Sequence, residues 1–191
     1  MRPTLAALCI SLCSGVVASQ SVPAAANGAR PGLKYFGDVI LLDQDGKPRR
    51  LYTDLMKDKT VVINAMFTTC KDSCPVMAHN FAALQDWLGD RLGSEANVLS
   101  FSVDPETDTP ARLKEYAARF HARPGWYFLT GSKDNVNWAL SKLGLYTAQK
   151  EQHLNIFLIG NDRTGLWKKA FGMAKPTDTI QVLNSVLNDR P

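Results

Sequence analysis

Soft metal ligands are scarce in this chain, which carries four cysteines and three histidines. Cys9 and Cys13 stand in an apolar N-terminal stretch, which leaves Cys70 and Cys74 for the rest of the molecule. A closed structural zinc site asks for four Cys or His ligands, and this supply is strained for one. A nucleotide-binding glycine loop, a serine nucleophile elbow and paired catalytic carboxylates are all absent. A strong excess of one charge is lacking too: the net charge is +4, and basic residues form only short pairs such as Arg49-Arg50 and Lys168-Lys169. That argues against nucleic acid as a partner. The sequence holds no internal repeat, and no low-complexity tract beyond the Ala-rich segment at Ala24-Ala25-Ala26.

The first residues form a unit of their own. Met1-Arg2 gives a short positive start, and Leu5 to Ala18 is apolar but too short to span a bilayer comfortably. Ala24-Ala25-Ala26 fits an A-x-A cleavage site, so residues 1–26 are predicted to be a secretory signal peptide, with cleavage near Ala18 or an uncleaved anchor as the alternatives. Leu8 and Leu12 precede Cys9 and Cys13 where a lipoprotein cysteine would want a small residue. The chain is thus expected to be exported, to a bacterial periplasm, or to stay anchored by this segment. In an oxidising compartment two cysteines pair unless a metal or a reductant keeps them apart. Structural disulfide, redox disulfide and metal site all stay open on the cysteine count.

Residues 27–34 contain Gly and Pro and read as a linker, and residues 35–191 as one domain. The hydrophobic fraction of 45% is enough for a core. Phe36 to Leu42 and Arg50 to Tyr52 flank an Asp45-Gly46 turn signal and predict a hairpin. Val61 to Phe67 is apolar on both faces, as a covered central strand should be. Met77, Phe81, Leu84 and Leu88 recur at helical spacing after Pro75. Asn97 to Asp104 predicts a strand, and Thr109-Pro110 a helix start with Thr109 as cap. A strand at Trp126 to Leu129 and a helix from Val136 to Leu143 follow, the helix stopped by Gly144. Ile156 to Ile159 and Leu166 to Phe171 predict a hairpin, and Pro176 to Asn188 a closing helix. This order gives an α/β fold of thioredoxin-like type: a central mixed sheet flanked by helices, with an extra N-terminal hairpin.

Cys70 and Cys74 stand where the first central strand gives way to a helix. The helix N-terminus is expected to stabilise a Cys74 thiolate, and Lys71 to add its charge. Thiolate is the form that attacks disulfides and the form that binds metal, so this expectation serves both uses. Two thiolates favour Cu(I) or zinc, and the shortage of ligands leans toward copper. A third ligand has to come from a histidine. His79 lies about 140° around the helix from Cys74 and should point away. His121 reads as a surface or capping residue at the end of its helix. His153 sits in a loop just before a strand, where folds place reactive groups; ligand and bystander are evenly matched for it. Met66, Met77 and Met173 read as core packing, and the four tryptophans as core and rim. Asp104 either faces the dithiol or serves as a turn aspartate.

Three blocks carry a family resemblance. Phe67-Thr68-Thr69-Cys70-Lys71-Asp72-Ser73-Cys74-Pro75 resembles the C-x-x-x-C-P signature of the SCO/SenC family of copper-handling proteins. Ser102-Val103-Asp104-Pro105-Glu106-Thr107-Asp108-Thr109-Pro110 is similar to a second block of that family, and His153, followed by Leu154 to Gly160, matches the position of its histidine. The resemblance implies a thioredoxin-like fold and copper held by Cys70, Cys74 and His153. It implies a part in assembling the CuA centre of cytochrome c oxidase, as metallochaperone or as thiol reductase of the oxidase subunit's cysteines. The implied partners are the oxidase subunit carrying CuA and an upstream copper donor or thiol reductant. In one place the chain departs: the family often has an acidic residue directly before the histidine, and here Gln152 follows Glu151.

Two functions therefore compete, a copper metallochaperone and a metal-free thiol-disulfide oxidoreductase in which Cys70 and Cys74 are the redox pair. A structural disulfide in an inert binding module ranks third, because so small a loop adds little stability.

Overall fold

The computed structural model describes residues 31–190. The expected signal peptide and residues 27–30 of the expected linker lie outside the described residues. Residues 31–34 open a short helix, α1 (Pro31–Phe36). Strands β1 (Ile40–Leu42) and β2 (Pro48–Arg50) make the predicted hairpin, shorter than expected at both ends. The buried Asp43 shapes its turn, accepting from the backbone N–H of Asp45 (2.9 Å) and Lys47 (3.0 Å) and from Arg49 Nε (2.8 Å). Tyr52 falls not in a strand but in a π-helical turn, Leu51–Met56. Asp38 accounts for the change, because its carboxylate accepts from the N–H groups of Tyr52 (3.1 Å) and Thr53 (2.8 Å). The Tyr52 N–H is shared with the Gly37 carbonyl (3.2 Å), and the Thr53 donor is satisfied without a strand partner.

The remaining elements alternate as the sequence predicts. They are β3 (Thr60–Met66), α2 (Ser73–Leu88), β4 (Ala96–Ser102), α3 (Pro110–Arg119), β5 (Trp126–Leu129), α4 (Lys133–Leu143), β6 (Ile156–Asn161), β7 (Trp167–Phe171) and α5 (Pro176–Leu187). Thr109 caps α3 through its hydroxyl, with Pro110 as first residue, and Gly144 ends α4 at a left-handed φ of +67°. The five strands form one mixed sheet in the order β5-β4-β3-β6-β7. Strands β3, β4 and β5 run parallel, and β6 and β7 are antiparallel to their neighbours.

Alternation along the strands builds two cores. Val62 and Met66 of β3, Val98 of β4 and Phe157 of β6 face α2, α3 and α5. Val61, Ile63 and Ala65, with Leu99 and Leu158, face α1, α4 and the π-helical turn. This is the thioredoxin-like arrangement, with helices on both faces. Among the described residues no helix is long and apolar enough to cross a membrane.

The N-terminal hairpin closes one edge of the sheet. Gln44 bonds to β5 as a strand would: its Nε2 donates to the Trp126 carbonyl (3.1 Å) and its Oε1 accepts from the Phe128 N–H (3.0 Å). Leu42 continues the pairing with Thr130. An edge covered in this way offers no free ladder to another chain. Gln44→Ala removes both bonds and is expected to cost about 1–3 kcal/mol. A lowered urea midpoint with unchanged slope is the predicted reading, and an unchanged midpoint would show that the edge does not depend on this side chain.

Candidate metal centre

Strand β3 delivers the dithiol. The Val103 N–H bonds to the Met66 carbonyl (2.9 Å), and the Cys70 N–H to that of Phe67 (3.2 Å), so the chain turns tightly after the sheet. Thr68 is fastened from below by Asp108, which is fully buried. The Asp108 carboxylate accepts from the Thr68 N–H (3.2 Å), the Thr68 hydroxyl (2.5 Å) and the Ser102 hydroxyl (2.7 Å). A buried carboxylate demands such partners, and here they tie the loop before Cys70 to the end of β4. Helix α2 then begins at Ser73, so Cys74 and Pro75 lie in its first turn.

Strand β6 delivers the histidine. It pairs with β3 antiparallel, with Ile63 opposite Leu158. The chain leaving β3 and the chain entering β6 therefore meet at one end of the sheet. His153 follows a short 3-10 turn, Lys150–Gln152, and its Nε2 lies 3.3 Å from Cys74 Sγ. The donor atoms of Cys70, Cys74 and His153 all lie within 4.8 Å of one another. Bonds from a metal to thiolate or imidazole run at about 2.0–2.3 Å, so donors sharing one ion stand at most about 4.6 Å apart. The set fits a small soft cation with little movement. His79 and His121 are exposed and outside it, as expected.

The three donors differ in access. Cys70 is half-buried, Cys74 is 1% exposed and His153 is 8% exposed. Burial pushes the Cys74 thiol well above its ordinary pKa, and the neighbouring Cys70 pushes it the same way. The expected thiolate at the helix N-terminus is thereby corrected for Cys74: loss of water outweighs the helix end. Burial also holds His153 below the usual imidazole range, outweighing the Leu154 backbone, which acts the other way. The ring is neutral at pH 7, with a lone pair to offer a metal or a thiol proton. Among the described residues its buried Nδ1 has no side-chain hydrogen-bond partner.

Above the dithiol lies an open hollow of about 380 Å³, lined by Phe67, Cys70, Lys71, Lys150 and His153 among others. Asp104 turns out to be a turn residue, its carbonyl accepting from the N–H groups of Thr107 (3.0 Å) and Asp108 (2.8 Å). Its carboxylate is engaged by Lys150 at 2.7 Å. Burial raises the Asp104 pKa, but the Lys150 ammonium and Thr107 more than offset this and hold it below the ordinary value. Met66 and Met77 are core residues as expected, whereas Met173 is 38% exposed and is not. Sequence reasoning missed Asp108 and Lys150. Asp108 stands beside a recognised helix cap, and nothing in the local pattern marks it as buried. Lys150 reads as one more surface charge.

A thioredoxin-like domain with two thiols and an imidazole converging at one end of its sheet is the class of protein defined here. A family model described as SCO1/SenC matches residues 28–187, and the chain belongs to that family. A SCO1 protein homolog of Bacillus subtilis is 37% identical over 90 residues, covering 47% of this chain and 45% of the relative. The chain spans about half the length of the first relatives it matches. Among solved structures, BsSco, a member of the Sco family of cytochrome c oxidase assembly proteins in which a disulfide switch was identified, is 27% identical. Its TM-score is 0.65, and the match covers 80% of this chain and 95% of that one. Copper-bound yeast Sco1, 24% identical with a TM-score of 0.65, matches over 85% of this chain and 98% of its own and shares the fold.

The difference in access between the thiols has a direct readout. Limited alkylation of the reduced protein at pH 7 is expected to modify Cys70 on the order of tenfold faster than Cys74. Peptide mass spectrometry distinguishes the two. Equal rates, or Cys74 first, would contradict the burial described here.

Proposed function

We propose that this chain is an exported copper-binding metallochaperone that acts in assembly of cytochrome c oxidase, delivering copper to the CuA centre or preparing it. One observation carries the reading: two thiols and a neutral imidazole, contributed by two strand ends, stand within bonding range of a single ion. Soft sulfur donors with one imidazole suit Cu(I), and three ligands satisfy it where zinc would seek a fourth. The proposed ligands are Cys70, Cys74 and His153. Copper is cargo in this scheme. Cys70 borders the open hollow, so an acceptor thiolate approaching from solvent exchanges first with Cys70, while Cys74 and His153 hold the ion from beneath. The proposed partner is the oxidase subunit that carries the CuA cysteines, with a copper donor or thiol reductant upstream. Export and a periplasmic or membrane-anchored location rest on the apolar N-terminal segment.

The proximity of the thiols also favours a second reading, as a thiol-disulfide oxidoreductase. Cys70 attacks a target disulfide and forms a mixed disulfide, releasing one target thiolate. Cys74 then attacks the Cys70 sulfur and releases the second. The target gains two electrons, and the chain keeps a Cys70–Cys74 disulfide. His153 Nε2, at 3.3 Å, is placed to take the Cys74 proton.

The two readings separate in one experiment. In an anaerobic Cu(I) competition titration of the reduced protein, His153→Ala is expected to weaken binding about 10–100-fold, and reduction of a disulfide substrate, deprived of the base beside Cys74, is expected to slow without being lost. Cys70→Ser is expected to abolish both. Equal copper affinity with and without His153 would remove it from the ligand set. No competitive binding by the unmodified protein, with a reactive dithiol, would assign the oxidoreductase function.

A further inference from the structure

A metal-binding histidine is ordinarily oriented through its second ring nitrogen, which donates to a carboxylate, a carbonyl or water. Among the described residues no side chain partners Nδ1 of His153. Neither flanking side chain supplies one: Glu151 is exposed, and the Gln152 amide donates to Gln149 Oε1 (2.7 Å). Something else must fix a ring that packs against a thiol.

The residue that recurs around this ring is Lys150. Its backbone carbonyl accepts from the His153 N–H (3.2 Å). Its ammonium binds Asp104 Oδ2 at 2.7 Å, anchoring the histidine loop to the loop after β4. The same ammonium lies 5.3 Å from the centre of the Phe67 ring. Phe67 in turn meets the His153 ring edge to face, at 5.7 Å and 83°, and its carbonyl accepts from the Cys70 N–H. The circuit Asp104–Lys150–Phe67–His153 is thus closed on both the dithiol loop and the histidine loop. The ion pair is sheltered, with side chains 34% and 12% exposed, so solvent weakens it less than an open surface pair.

We propose that the Asp104–Lys150 ion pair, seated on the ring of Phe67, is the device that holds His153 against the dithiol in this chain, making Asp104, Lys150 and Phe67 positioning residues. The proposal rests on the reading of His153 as a copper ligand only for its functional consequence. The positioning itself exists without metal. A ring held by packing and by its loop, rather than by a bond to Nδ1, depends on the contacts that keep the loop closed. Opening the ion pair frees the loop while leaving the thiols, the helix and the ring chemically intact.

The test uses the reduced, metal-free full chain and NMR cross-relaxation between the His153 and Phe67 rings. The unmodified protein is expected to show this contact, Lys150→Met and Asp104→Asn to lose it, and Lys150→Arg, which keeps the charge, to retain it. Asp104→Asn is nearly isosteric and guards against a folding defect in Lys150→Met. Persistence of the ring contact in both charge-removing variants would overturn the proposal. Cu(I) competition then supplies the second arm. Lys150→Met is expected to weaken binding about tenfold, and the loss should vanish when His153 is already Ala. Loss of the ring contact with copper affinity unchanged would uphold the positioning role and remove His153 from the ligand set. The two failures are therefore told apart.

Discussion

Everything functional in this molecule depends on the antiparallel pairing of β3 with β6. Strand β3 carries the chain to the two cysteines, and β6 begins just after His153. Parallel strands at that place in the sheet would set the two loops at opposite ends. The antiparallel register brings residues some eighty positions apart in sequence to a 3.3 Å contact between Cys74 and His153. Both strands are deeply buried, with helices packed on either face. The sheet therefore supplies a rigid floor from which two short loops need reach only a few ångströms.

Two effects oppose each other at Cys74, and their magnitudes decide the outcome. A helix N-terminus favours a nearby anion by about 0.3–1 kcal/mol, and up to ~2 kcal/mol in good geometry. Complete burial of an ionisable group can shift its pKa by up to 3–5 units, at about 1.4 kcal/mol each. Cys74 is almost fully enclosed among apolar neighbours, so burial prevails and the thiol is held protonated. A proton then has to leave when a soft cation or a disulfide sulfur arrives: to solvent where His153 Nε2 is to bind the ion, or to that neutral nitrogen in disulfide exchange. Cys70, at the lip of the hollow, is the sulfur open to solvent. The asymmetry divides the work between an accessible sulfur and a sheltered one, whichever of the two proposed chemistries is in play.

Most of the architecture was legible because its signals are local. Helical spacing from Met77 to Leu88, the Thr109-Pro110 start and the Gly144 stop are each written within a few residues, and each stands where it was expected. The dithiol was legible for the same reason. What escaped is non-local. The strand ending at Tyr52 became a π-helical turn because Asp38, fourteen residues away, satisfies its donors. Asp108 bonds to Thr68, forty residues upstream, and no periodicity announces a buried carboxylate. Lys150 and Asp104 are ordinary surface types in sequence and acquire meaning only when two loops meet. Residue spacing left His153 undecided; the strand pairing places it beside the thiols.

The central claim is that Cys70, Cys74 and His153 together hold a single copper ion. X-ray absorption at the copper edge of the reduced protein loaded with one equivalent of Cu(I) tests it most directly. The account predicts two sulfur neighbours and one imidazole nitrogen, with the nitrogen signal lost in His153→Ala. Sulfur neighbours alone, or an imidazole signal that survives that substitution, would contradict it.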